Sequence, residues 1–209
     1  MFKHVMWDFD GTLFNTYPIM GQIFQDLLKE KGIDEPLEEI LKQMKISMST
    51  AVNHYKEKYP IDEIFIEDYH NKRTAREIEL SEPFEGMERI CRSISDSGGS
   101  NYLYTHRGES AIALLKKYGL SRYFSDYITK EDGFERKPSP DAIQHLVKKH
   151  NMEKDETIMI GDRELDLLSA KNAGIHSCYF AERDKESRYA DFTVHDVKQL
   201  FSIIGVKFE

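Results

Sequence analysis

The sequence predicts an α/β protein: a Rossmann-like parallel sheet with helices on both faces, interrupted by an inserted α-helical domain. Three observations carry this. A short apolar run, His4-Val5-Met6-Trp7, reads as a buried strand near the start of the chain. From about residue 84, helical and strand patterns alternate, as they do where crossover helices join parallel strands. The stretch between them, up to about residue 82, is helical throughout and offers no convincing strand.

In chain order, the first strand ends at Asp8-Phe9-Asp10. From Pro18 the pattern turns helical, with Met20, Ile23, Phe24, Leu27 and Leu28 on one face, and Gly32 ends that helix. Further helices are predicted at 36–44, 49–58 and 61–80, the last after Pro60. A helix near 86–97 leads through Gly98-Gly99 to a strand at 101–105. A helix near 109–118 precedes a short strand at 127–129. A helix near 140–150 precedes a strand at 157–160, and one near 164–173 leads through Gly174 to a strand at 176–180. Residues 1–14 and 84–209 are therefore expected to form the α/β core. Residues 15–83 are expected to form a helical domain inserted after the first strand, where it can cover the carboxyl end of the sheet, the usual ligand side.

The bulk properties narrow the function. The 209 residues suffice for one sizeable domain, or a domain with an insertion. With 40% hydrophobic and 32% charged residues, the chain reads as globular. Its net charge of −8 disfavours a nucleic-acid or anionic-membrane partner. Cys91 and Cys178 form neither a CxxC pair nor a zinc-ligand spacing, and read as buried thiols in a reducing compartment. MFKHVMWDFD lacks a signal-peptide h-region, and no window has the apolar length of a membrane span. A cytoplasmic protein is expected, and no protein partner is predicted.

Polar residues gather at the predicted strand ends. Asp8 and Asp10 follow the first strand, Thr105, His106 and Arg107 the second, and Asp162 and Asp166 the fourth. Lys137 stands in the loop Glu135-Arg136-Lys137-Pro138. Singly, each has an ordinary explanation: Asp10-Gly11 as a turn, Asp162 and Asp166 as helix-start acids, Lys137 as a solvated charge. Together, four acids, a hydroxyl and an ammonium at one end of one sheet read as a site. Asp8 and Asp10 repel each other unless a proton or cation compensates them. Hard oxygen ligands, without a sulfur pattern, favour Mg²⁺. One carboxylate in line with a phosphorus atom could attack it, forming an aspartyl-phosphate. The neighbouring acid could protonate the leaving oxygen and later deprotonate water. The hydroxyl and ammonium could stabilise the transferring oxygens.

Asp8-Phe9-Asp10-Gly11-Thr12-Leu13, Thr105, Lys137-Pro138 and Gly161-Asp162-Arg163-Glu164-Leu165-Asp166 together resemble the four motifs of the haloacid dehalogenase-like hydrolase superfamily. The insertion resembles the helical cap of its phosphoglycolate phosphatase and β-phosphoglucomutase branch. The resemblance implies Asp8 as nucleophile and Asp10 as general acid/base, with the Asp10 backbone carbonyl also on Mg²⁺. It implies Thr105 and Lys137 as phosphate-holding and charge-balancing groups, Asp162 as a metal ligand, and Asp166 as support for the metal shell. Backbone amides near Gly11 and His106 would reach phosphate oxygens. The second aspartate of the first motif favours phosphoester chemistry over dehalogenation.

The chain departs from the pattern of the family it resembles at His106-Arg107, where a small polar residue such as Asn is common after the threonine. Either residue could contact the substrate or the cap. Within the insertion, Lys45-Ile46-Ser47-Met48-Ser49 lies where the family places a specificity loop, and Lys45 and Ser47 are the substrate-binding candidates there. His54 and Arg76 are further candidates for facing the site, while Met44 and Met48 read as core. The expected function is a Mg²⁺-dependent phosphatase acting on a small phosphorylated metabolite. A sugar-phosphate mutase would use the same residues and require an activating bisphosphate. A receiver-type phospho-acceptor domain, which is no enzyme, would have neither the insertion nor Asp-x-Asp-Gly-Thr on its first strand.

Overall fold

The structure is a computed structural model that describes residues 1–182 and 185–207. Internal contacts divide the chain into two units, one of residues 15–82 and one formed by residues 1–14 together with the chain from Pro83 onward.

The unit of residues 15–82 contains α1 (Tyr17–Glu30), α2 (Leu37–Ile46), α3 (Met48–Lys58) and α4 (Glu63–Leu80). The stripe on α1 meets Ile40 and Met44 of α2, Ala51 and Tyr55 of α3, and Phe65 and Tyr69 of α4 in one buried cluster. Met44 is therefore core, as expected. Gly21 lets α2 come close, since a Cβ there would lie 2.6 Å from Leu41 Cδ2. Two caps shift the predicted helix starts. Ser47 Oγ accepts from Thr50 N at 2.9 Å, which starts α3 at Met48, and Asp62 accepts from Phe65 N at 2.9 Å, which starts α4 at Glu63.

Glu35, between α1 and α2, is a buried carboxylate with a complete set of donors. It accepts from Tyr59 Oη at 2.6 Å, from Lys58 Nζ at 2.9 Å on each oxygen, and from Tyr55 Oη at 3.4 Å. Burial pushes the Glu35 carboxyl up, but the Tyr59 hydroxyl and Lys58 ammonium outweigh it and hold the group below its usual value.

In the other unit, β1 (His4–Trp7), β2 (Ser100–Tyr104), β3 (Phe124–Ile128), β4 (Thr157–Gly161), β5 (His176–Phe180) and β6 (Phe192–Val194) form one parallel sheet in the order β3-β2-β1-β4-β5-β6. Central β1 pairs with both β2 and β4, His4 opposite Ser100 and Thr157, Trp7 opposite Leu103 and Ile160. The chain adds strands on one side of β1, then returns to add β4–β6 on the other. The carboxyl ends of β1 and β4 thus flank the point where the order reverses, the position at which open α/β sheets bind ligands.

Side chains alternate across this sheet. Val5, Trp7, Leu103, Ile158 and Ile160 face one core with α5 (Met87–Asp96), α6 (Glu109–Lys117) and a later helix. Met6, Tyr102, Tyr104 and Met159 face another, with α7 (Asp141–Lys149) and α8 (Glu164–Ala173). The later helix of the first core is α9 (Val197–Ile204). Helices therefore cover both faces, as the alternation predicts. Three features depart from the sequence reading. β3 starts at Phe124 rather than 127, its polar Ser125 and Asp126 tolerated on an edge strand, with Asp126 paired to Lys149 and His150. β6 and α9 have no counterpart in the sequence pattern; β6 is a three-residue edge strand too short to show alternation. Cys91 and Cys178 are both buried free thiols. No helix among the described residues is long and apolar enough to cross a membrane.

A carboxyl whose folded pKa is lowered stabilises the fold above its unfolded value, and that contribution is lost as the pH falls through the folded value. Glu35→Ala is therefore expected to destabilise by about 1–3 kcal/mol at neutral pH, by stripping the buried Tyr55 hydroxyl and its neighbours of their acceptor. The gap from wild type should shrink as the pH falls below 4.5. Urea unfolding at pH 7 and near pH 4 checks both, and a gap independent of pH would contradict the assignment.

Candidate active site

Asp8 continues β1 by one residue, its N–H donating to Ile160 O at 2.9 Å. This fixes the carboxylate at the mouth between β1 and β4, where it is buried. Lys137 reaches it from the loop before α7. Its Nζ lies 2.6 Å from Asp8 Oδ1 and 2.7 Å from Asp166 Oδ1, and donates to the Tyr104 carbonyl at 2.8 Å. Tyr104 also sets its ring beneath the ammonium, 4.4 Å from ring centre to Nζ. Burial alone would lower the Lys137 pKa, but Asp166 and Asp8 reverse that and hold it above its usual value.

The second acid cluster comes from the end of β4 and the first turn of α8. Gly161 closes the strand, Asp162 follows it, and the Asp166 side chain folds back to accept from the Arg163 N–H at 3.1 Å. The fold-back brings Asp166 so close to Gly161 that no Cβ fits there, since one would meet the Asp166 Cβ and Cγ and lie 2.6 Å from its Oδ2. Burial pushes the Asp8 carboxyl up, and neighbouring Asp166 adds to this, so that it reaches about 6 despite Lys137 and Arg163. Burial would raise Asp166 as well, but Lys137 and Arg163 hold it below its usual value.

Asp8, Asp162 and Asp166 each offer an oxygen, all within 4.8 Å of one another. Asp8 Oδ2 is buried and accepts no hydrogen bond from the described residues. A buried lone-pair oxygen within a group of three carboxylates fits a hard cation. The Asp10 carboxylate is not one of this group.

Asp10 is held instead by Arg107. The guanidinium binds it with two donors, Nη2 to Oδ1 at 2.5 Å and Nε to Oδ2 at 3.3 Å, and lies over the Phe9 ring, 5.1 Å from its centre. Thr105 is buried beside them, and its Oγ1 accepts from the Arg107 N–H at 3.1 Å. His106 turns towards the Lys137 loop, its Nε2 accepting from the Lys137 N–H at 2.9 Å. An accepting Nε2 means a neutral ring protonated at Nδ1. Burial, with Lys137, Arg136 and Arg163 nearby, lowers the His106 pKa to about 3.

The α/β unit thus brings together Asp8, Asp10, Thr105, His106, Arg107, Lys137, Asp162 and Asp166. Gly11 has a φ of 77° in the turn after β1, and its N–H donates to Phe14 O at 2.9 Å, so this amide serves the turn rather than facing a ligand. Lys45 and Ser47 belong to the other unit. There Lys45 Nζ lies 5.9 Å from the Tyr17 ring centre, and Ser47 caps α3. His54 packs edge-on to Tyr55, and Arg76 lies 3.7 Å from Asp26. Arg163 received no role from the sequence. It stands 3.7–3.9 Å from oxygens of Asp8, Asp162 and Asp166, a cation among the acids. Its place beside Asp162 was visible in the sequence, but nothing there shows a residue at a helix start turning back over the strand ends.

A family model described as haloacid dehalogenase-like hydrolase matches residues 5–180. The pyrophosphatase PpaX of Halalkalibacterium halodurans is 26% identical over 97% of this chain and 97% of its own length. The phosphoglycolate phosphatase of Vibrio parahaemolyticus is 22% identical over 98% and 96%. Among solved structures, a hydrolase from Streptococcus pneumoniae TIGR4 is 26% identical, with a TM-score of 0.69, covering 98% of each chain.

Gly161→Ala should displace Asp166, because the added methyl needs the space that the Asp166 side chain fills. A loss of about 2–4 kcal/mol is expected. Asp166→Gly in the same background, which removes the obstructing Cβ as well, should recover part of it, and Asp166→Ala, which keeps that Cβ, should recover less. Denaturant unfolding of these variants checks this, and a stable single mutant would show that the backbone yields instead.

Proposed function

The chain belongs to the haloacid dehalogenase-like hydrolases, and from that premise we propose that it is a Mg²⁺-dependent phosphatase of small phosphorylated metabolites, working through a phosphoenzyme on Asp8. The observation that carries this is the Lys137 ammonium shared by Asp8 and Asp166, beside a carboxylate group fit for a hard cation. Four carboxylates, Asp8, Asp10, Asp162 and Asp166, meet three permanent cations, Arg107, Lys137 and Arg163. With His106 neutral, a divalent cation would make the site positive, which suits a phosphate dianion.

Asp8 and Asp162 would hold the ion, with the Asp10 carbonyl, and Asp166 would support them. When bound, Mg²⁺ would neutralise charge on the phosphate oxygens and favour the ionised Asp8. Asp8 attacks phosphorus, forming the Asp8–phosphorus bond as the bond to the leaving oxygen breaks. Asp10 delivers a proton to that oxygen. Asp10 then takes a proton from water, whose oxygen attacks phosphorus and breaks the Asp8–phosphorus bond. Inorganic phosphate leaves and Asp8 is restored. Thr105 and Lys137 hold the transferring oxygens throughout. Residues 15–83 are read as the family's helical cap, with Lys45 and Ser47 bearing on the choice of substrate.

Phosphate release from an aryl phosphate should require Mg²⁺ and stop with EDTA. It should fall by on the order of 10⁴ or more in Asp8→Asn, with the circular dichroism unchanged. Turnover near wild type in that variant would remove Asp8 from the mechanism. Arg163→Gln removes a cation beside all three clustered carboxylates, so Mg²⁺ affinity measured by calorimetry should rise about tenfold. Weaker binding would mean that Arg163 supports the metal site rather than opposing it.

A further inference from the structure

We propose that Tyr104 is a positioning residue for catalysis: its ring face and its carbonyl keep the Lys137 ammonium in place while that ammonium exchanges a carboxylate for a transferring phosphate oxygen. This rests on the phosphatase reading, and specifically on Lys137 meeting the phosphate.

The surroundings of the ammonium are the ground for this. Lys137 Nζ donates to Asp8 Oδ1 at 2.6 Å and to the Tyr104 carbonyl at 2.8 Å, and stands 2.7 Å from Asp166 Oδ1. Three such oxygens leave little to spare for an ammonium with three hydrogens. A phosphate oxygen can join them only as a carboxylate gives way. Asp8 is the partner that changes, because its oxygen bonds phosphorus in the proposed cycle. Tyr104 meanwhile offers two neutral holds, the carbonyl and the ring, whose centre lies 4.4 Å from Nζ. A ring face attracts a cation without carrying a charge of its own, and most strongly where water is excluded. The Lys137 side chain is wholly buried, so this contact acts without competition from solvent. The ring is fixed in turn. It is buried in the core that Met6 and Met159 form with α7 and α8. It also meets edge-on, at 6.0 Å between centres, the His106 ring that accepts from the Lys137 N–H. The hydroxyl does not explain the residue. Tyr104 Oη is buried without a hydrogen-bond partner among the described residues, and a tyrosine kept for its hydroxyl would pair it. What remains is the aromatic face, which an aliphatic side chain could not supply.

The test measures kcat and KM for Mg²⁺-dependent release from an aryl phosphate. It compares wild type, Tyr104→Leu, Tyr104→Phe, and proteins carrying at position 104 a phenylalanine with one, two or three ring fluorines. Fluorine draws charge off the ring face with little change of shape, so it weakens the hold on a cation and leaves the packing in place. Tyr104→Leu is expected to lower kcat at least about tenfold, with KM moved less, since the ammonium acts on the transferring oxygens. Tyr104→Phe should restore most of that loss, and kcat should then fall stepwise with each added fluorine. A kcat independent of fluorination would make the ring a packing element and overturn the assignment. So would a Tyr104→Phe as slow as Tyr104→Leu, which would give the role to the hydroxyl. Should Tyr104→Leu fail to fold by circular dichroism, the fluorinated series, which keeps the ring, decides alone. Release by wild type without any dependence on fluorination defeats this inference only, while no release by wild type from any phosphate ester defeats the phosphatase reading and this inference with it.

Discussion

One ammonium holds the site together. Lys137 is buried between two buried carboxylates, Asp8 and Asp166, and its remaining hydrogen bond goes to the Tyr104 carbonyl. Without it, two acids would face each other in a place with little water, and at least one would be protonated or displaced. The lysine thus joins three segments that are far apart in sequence: the end of β1, the start of α8 and the loop before α7. His106 secures that loop by accepting from the Lys137 backbone, which explains why a residue after the strand-end threonine is an imidazole held neutral. Replacing any of these groups would disturb the others, because the other cation near Asp8 and Asp166, Arg163, stands about an ångström farther off than Lys137.

The fold was legible where patterns are local. The stripe on α1, the alternation after residue 84 and the apolar β1 are properties of neighbouring residues, and they gave the strand and helix types. Edge elements were harder. β6 has three residues and no alternation, and polar β3 survives because Lys149 and His150 pair with Asp126. Shifts of one or two residues in α3 and α4 trace to caps at Ser47 and Asp62, whose side chains bond to the backbone three residues on.

Most of the candidate site was legible as well, since Asp8, Asp10, Thr105 and Asp162 follow strand ends, with Asp166 in the helix turn after β4 and Lys137 in the loop before α7. Its pairings were not. Nothing in the order of residues says that Arg107 grips Asp10 rather than solvent, or that Arg163 turns back over three carboxylates. Nor does it say that the Gly11 amide is taken up by Phe14 O. These are matters of which way a side chain or an amide points once distant strands are aligned, and the direction is set by the sheet rather than by the neighbours in the chain.

The sheet order also has a consequence in time. Asp8 precedes its partners in the chain: β1 is completed by β2 near residue 100 and by β4 near residue 157, and Asp166 comes later still. The helices of residues 15–82 depend on contacts close in sequence and can form while the rest is being synthesised. Asp8, by contrast, lacks the strand that fixes its backbone until β4 has been made. The carboxylate group of Asp8, Asp162 and Asp166 can therefore be assembled only after the segments that follow the insertion have joined β1.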